Sequence, residues 1–116
     1  MKERDVILVP LPQADGQIKP RPAVLLRRLP PFGDYLVCGV STQLRLEVAG
    51  FDDPIGRRDC DFAKSGLKQD SLIRLGFLAV FAMNQVVGGI GEISEGRHQR
   101  LLQRLADHLV SRQVAA

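Results

Sequence analysis

The sequence predicts a small, mainly β domain finished by one C-terminal helix, and three observations carry that expectation. Apolar runs are short and end at proline, glycine or aspartate turn signals. A strand period of two runs through residues 44–48 and 71–81, whereas helical spacing begins only after Ser94. Five or six short strands with a terminal helix argue for an antiparallel barrel or sandwich rather than a doubly wound sheet. The 116 residues suffice for one core, which gives a single domain over 1–116 with its barrel at about 5–93 and its helix at about 95–113.

Val6-Ile7-Leu8-Val9, stopped by Pro10-Leu11-Pro12, reads as a strand buried on both faces. Residues 13–17 make the turn, where Gly16 can take positive φ. Lys19-Pro20-Arg21-Pro22 follows as a stiff basic turn running into Ala23-Val24-Leu25-Leu26, a second buried strand that lasts to about Leu29. Each proline fixes its own φ and keeps the preceding residue extended, so Lys19 and Arg21 are held rigidly at the strand mouth. A loop over 30–34 leads to a third strand, 35–42, which turns polar at Ser41-Thr42-Gln43.

Residues 44–48 alternate as a strand with one dry and one wet face. Residues 49–67, interrupted by Gly50, Pro54, Gly56 and Gly66, carry no predicted element. Along 71–81, Leu72, Arg74, Gly76, Leu78 and Val80 share one face, and Ile73, Leu75, Phe77, Ala79 and Phe81 the other. Gly76 in mid-strand marks a bend or bulge. Residues 88–93 give a last, glycine-loosened strand, and Ser94 N-caps the helix. Its apolar stripe is Leu101, Leu102, Leu105, Ala106 and Leu109; Arg97, Arg100, Arg104 and His108 fall on the other side, read as solvated.

Charge adds little on average, with a net +3 and a pI near 9.2, but it is unevenly placed. Residues 1–30 carry six Lys/Arg against three Asp/Glu and residues 94–116 four against two, while 31–93 carry six against eight. Basic ends let a polyanion approach one region. Cys38 and Cys60 are too few for a disulfide framework or a zinc site. The four apolar residues before Pro10 are too short for a signal peptide or a membrane span, and the expected setting is cytoplasmic.

No phosphate-binding P-loop and no dinucleotide fingerprint is present, since glycines 88, 89 and 91 have the wrong spacing. His98 and His108 have no ligand partner at metal spacing and are expected as exposed helix residues; no metal and no cofactor is implied. What is left is a group of cations and hydroxyls at strand ends: Lys19, Arg21, Ser41, Thr42, Gln43, Ser71 and Arg74. Guanidinium and hydroxyl groups donate to the non-bridging oxygens of a phosphodiester and stabilise the charge of its transition state. RNA brings its own nucleophile, the 2′-hydroxyl, so such a cradle suits RNA cleavage; ordinary strand-end residues are the plainer alternative.

Asp5-Val6-Ile7-Leu8-Val9-Pro10-Leu11-Pro12 with Lys19-Pro20-Arg21-Pro22-Ala23-Val24-Leu25-Leu26 resembles the opening of the PemK/MazF toxins. Ser41-Thr42-Gln43 resembles their second motif, and Asp61-Phe62 with residues 66–74 their third; the likeness runs from about Asp5 to Leu109. The resemblance implies an SH3-like small antiparallel barrel of the PemK/MazF/CcdB type, acting as a homodimer. It implies a metal-independent, sequence-selective endoribonuclease that leaves 2′,3′-cyclic phosphate and 5′-hydroxyl ends on single-stranded mRNA and is silenced by a cognate antitoxin. Carried over by residue, Arg21, Thr42 and Arg74 are catalytic, and Lys19, Ser41, Gln43, Asp70 and Ser71 bind RNA. The arginines of the helix could also extend an RNA track or meet an acidic antitoxin tail.

Three departures from the pattern matter. Many members have glycine before the first aspartate, where this chain has Arg4. Some members carry a carboxylate base two residues after the strand arginine, where this chain has Gly76, and Thr42 or Asp70 would have to replace it. The following Phe77-Leu78-Ala79-Val80-Phe81 is more apolar than the basic segment usual there. The second reading is therefore a barrel of the same fold that binds RNA, an antitoxin or a protein target without cutting.

Overall fold

The structure is a computed structural model that describes residues 1–12 and 14–111. Six strands, β1 (Asp5–Pro12), β2 (Ile18–Leu29), β3 (Asp34–Ser41), β4 (Asp53–Ile55), β5 (Ser71–Phe81) and β6 (Gly88–Glu92), form one sheet in the order β4-β5-β3-β2-β1-β6. Every pairing is antiparallel. A one-turn helix α1 (Phe62–Ser65) precedes β5, and the long helix α2 (Glu95–Val110) ends the described chain. The sheet curls into a half-barrel, so the mainly β architecture with a C-terminal helix is the one expected. Among the described residues no helix is long and apolar enough to cross a membrane.

The curl explains why the central strands are apolar on both sides. On β2, Val24 and Leu26 join Val6, Ile73, Leu75 and helix residues Leu101 and Leu105 in one core. Their neighbours Ala23 and Leu25 join Ile7, Val9, Tyr35 and Val37 in a second, which the far half of β5 covers with Ala79 and Phe81. Cys38 is fully buried, and burial pushes its thiol up to about 12, so it packs as a neutral apolar group. Close approach also fixes two glycines between α1 and β6. A Cβ on Gly91 would stand 2.1 Å from the Lys64 carbonyl oxygen, and one on Gly66 2.1 Å from that of Ile90. Gly91→Ala is accordingly expected to cost about 1–3 kcal/mol by overpacking, read as a lower denaturant midpoint.

Several expectations are corrected. Lys19-Pro20-Arg21-Pro22 is not a turn but part of β2, with Arg21 opposite Val9 and Pro22 opposite Leu8. The prolines are tolerated because β3 pairs with β2 only from Ala23 onward, which leaves the other side of this stretch without a ladder among the described residues. Residues 44–48 are not a strand: Leu44–Leu46 is an exposed 3-10 turn. β3 is already paired by β2 on one side and β5 on the other, so the alternating segment has no edge there to join. Within 49–67, β4 pairs along β5, with Asp53 opposite Ile73 and Ile55 opposite Ser71.

The helix departs most from expectation. Ser94 caps it as predicted, its hydroxyl oxygen accepting from the Arg97 N–H at 3.1 Å, and Leu101 and Leu105 are buried, but Leu109 is 71% exposed. The expected end at about 113 lies outside the described residues. Arg97 and His98 are both buried rather than solvated. Arg97 grips Asp61 from Nε (2.8 Å) and Nη2 (3.1 Å), and Asp53 from Nη1 at 2.7 Å. Arg100 and Arg104 close on Asp53 as well. His98 Nε2 lies 2.8 Å from the Leu26 carbonyl oxygen, which ties the helix to β2. The arginine row is thus an anchor, satisfied by carboxylates far away in sequence. His108 remains exposed, its ring tilted against Phe51 at 4.9 Å between centroids.

Candidate functional site

Ladder geometry gathers the polar strand ends at one mouth of the half-barrel. Arg21 lies on β2 just before the buried run, Ser41 ends β3, and Arg74 is opposite Gly39 on β5. These residues line one open cleft of about 720 Å³. Thr42 and Gln43 continue its wall from β3, and Ser71 contributes from the start of β5. Arg21 and Thr42 are both exposed and line this cleft together.

The hydroxyls differ in availability. Ser41 Oγ accepts from the Gln43 N–H at 3.0 Å, which shapes the strand end and leaves the hydroxyl proton to donate. Thr42's hydroxyl makes no hydrogen bond to a described residue. Ser71 is buried and donates to the Gln69 carbonyl oxygen at 2.7 Å, so its hydroxyl is committed within the wall. Arg74 is half-buried, and its Nε is a buried donor with no hydrogen-bond partner among the described residues. A buried unpaired donor of a charged group is costly, and an anion in the cleft would relieve it.

Two sequence candidates stand apart. Lys19 is exposed on β2 opposite Leu11 and is not part of the lining. Asp70 also lies off the lining: its Oδ1 accepts from the Arg57 N–H at 3.0 Å and steadies the loop after β4. Among the lining residues not singled out as site candidates, two bear on anion or base binding. Lys68 adds a third cation; it belongs to the motif stretch 66–74 before β5, and that membership was the available signal. Phe77 adds an aromatic ring, 37% exposed, which strict alternation assigns to the opposite face. The described lining therefore holds Arg21, Lys68 and Arg74 and neither a carboxylate nor a histidine. Such a cleft concentrates positive potential and attracts anions.

The curled antiparallel sheet with its terminal helix is a MazF/PemK-type toxin fold. Among solved structures the chain is similar to Mycobacterium tuberculosis toxin MazF-mt6, with a TM-score of 0.67 and 19% identity over 91% of this chain and 96% of that chain. No protein-family model matches the sequence, and no curated protein matches it.

Proposed function

We propose that the protein is an endoribonuclease toxin that cuts single-stranded mRNA in this cleft and is neutralised by a cognate antitoxin. The observation that carries the reading is that two guanidinium groups, Arg21 and Arg74, and the Thr42 hydroxyl, which makes no hydrogen bond to a described residue, line one cleft whose described residues include no carboxylate. In the reaction the 2′-oxygen attacks phosphorus and forms the new P–O2′ bond. The P–O5′ bond breaks, the 2′-proton passes to solvent and the 5′-oxygen takes up a proton. The products are a 2′,3′-cyclic phosphate and a 5′-hydroxyl. Arg21 and Thr42 hold the non-bridging oxygens; Arg74 neutralises the charge that develops and reaches the leaving oxygen. These cations supply the positive charge themselves, and cleavage is expected to survive EDTA. The MazF fold also supports a homodimer acting in the cytoplasm, where its RNA is.

Incubation with a single-stranded RNA and with its copy carrying one 2′-deoxynucleotide at a mapped cut tests the reading. The first should be cut and the second spared at that position; equal cleavage of both rules out the 2′-hydroxyl as nucleophile. With neither a carboxylate nor a histidine in the described lining to act as base, hydroxide removes the 2′-proton. The log of the rate should then climb with a slope of about +1 between about pH 6 and 9. A bell-shaped profile would instead reveal a protein base.

Gly76 and the carboxylate-free lining favour a second reading, binding without cleavage. It predicts RNA that stays whole while being retarded on a gel. In either case three cations give a log–log salt dependence of affinity of about −2, and Lys68→Ala reduces that slope by about 0.7. A salt-insensitive affinity would place RNA elsewhere.

A further inference from the structure

The geometry points to Phe77 as a stacking platform for a nucleobase next to the bound phosphate, which we propose as a subsite of the RNA cleft. The inference rests on the RNA reading above. Cys38 pairs with Leu78 and Gly39 with Arg74, so residues 75–77 stand outside the β3–β5 ladder. In a regular strand, residues three apart point to opposite faces. The bulge cancels that rule: Leu75 goes into the core, Gly76 is exposed, and Phe77 emerges in the same cleft as Arg74.

The bulge is built to hold this position. Asp52 Oδ1 accepts from the Leu75 N–H at 3.1 Å, satisfying a donor that has left the ladder, and Asp52 Oδ2 accepts from the Val48 N–H at 2.9 Å. Phe77 then lies on the bare backbone of Gly39, where an added Cβ would stand 3.1 Å from its Cδ1 and 3.3 Å from its Cγ. The ring is thus supported from behind by β3 and remains 37% exposed in front. A fixed aromatic face in one cleft with a cation whose buried Nε has no hydrogen-bond partner among the described residues matches one nucleotide, base on ring and phosphate on guanidinium. Stacking tolerates any base, so the platform supplies affinity and register.

The test measures binding of the full-length wild type, Phe77→Ala, Phe77→Leu and Phe77→Tyr to a single-stranded RNA and to copies with one abasic site moved along it. Folding of each variant is checked by thermal melting. Phe77→Ala is expected to weaken binding roughly 5- to 150-fold, and Phe77→Tyr to restore it. At one position an abasic site should weaken the wild type by a similar factor and leave Phe77→Ala unaffected. Phe77→Ala binding as tightly as wild type overturns the platform and leaves the RNA reading standing. So does Phe77→Leu binding as tightly, because leucine keeps the bulk and loses the π face. A wild type that binds none of these RNAs overturns the RNA reading and the platform with it.

Discussion

Arg21→Ala is expected to lower the proposed RNA cleavage by about 10²–10³-fold and to leave the protein folded, since removing one donor aimed at transition-state charge costs that much in comparable sites. Folding should survive because Arg21 is exposed, while the adjoining residues Ala23 to Leu26 that bind β2 into both cores are untouched. Arg21→Lys is expected to recover little. A lysine restores the charge but not the planar fork that donates two parallel hydrogen bonds to a phosphate. Rates measured under single-turnover conditions, with circular dichroism as the folding control, decide the matter. A fully active Arg21→Ala protein would move the chemistry out of this cleft.

The largest stability effect is expected at Asp61. Its carboxylate takes Nε and Nη2 of Arg97 and also the Ser94 N–H at 2.9 Å, so it joins the helix start to the loop before α1. Burial alone would raise the Asp61 pKa, but the Arg97 and Ser94 hydrogen bonds outweigh it and hold the group at about 2. Asp61→Ala leaves a buried guanidinium with half its partners, and breaking such a pair costs about 3–5 kcal/mol. The pH dependence follows from the sign: a carboxyl depressed in the folded state stabilises it above its ordinary value of 3.8 and stops doing so as pH falls through about 2. Wild type should therefore lose about 2 kcal/mol between about pH 4 and 2, and Asp61→Ala should lack that loss. Urea titrations across this window check both statements. An unchanged midpoint for Asp61→Ala would show that the ion pair is replaceable by solvent.

Much of the sheet was legible because its signals are local. The buried run at Ala23 to Leu26, the bulge at Gly76 and the cap at Ser94 each depend on residues adjacent in the chain. The errors came where distant partners decide. Residues 44–48 alternate like a strand, yet both edges of β3 are taken. Arg97 reads as solvated until Asp53 and Asp61 are brought beneath it. That Arg21, Thr42 and Arg74 line one cleft follows from the antiparallel pairing of β2, β3 and β5, which sets Arg21 within β2 and Arg74 within β5 near the end of β3. Phe77 was misplaced because a period of two cannot count through three unmatched residues. Asp70, adjacent to the Ser71 wall residue, turns instead to the Arg57 backbone.

End-group analysis of RNA cut by the wild-type protein in EDTA tests the central claim most directly. Fragments bearing 2′,3′-cyclic phosphate and 5′-hydroxyl ends, absent with Arg21→Ala, are the predicted result. Fragments with 3′-hydroxyl and 5′-phosphate ends, or RNA left whole, would contradict it.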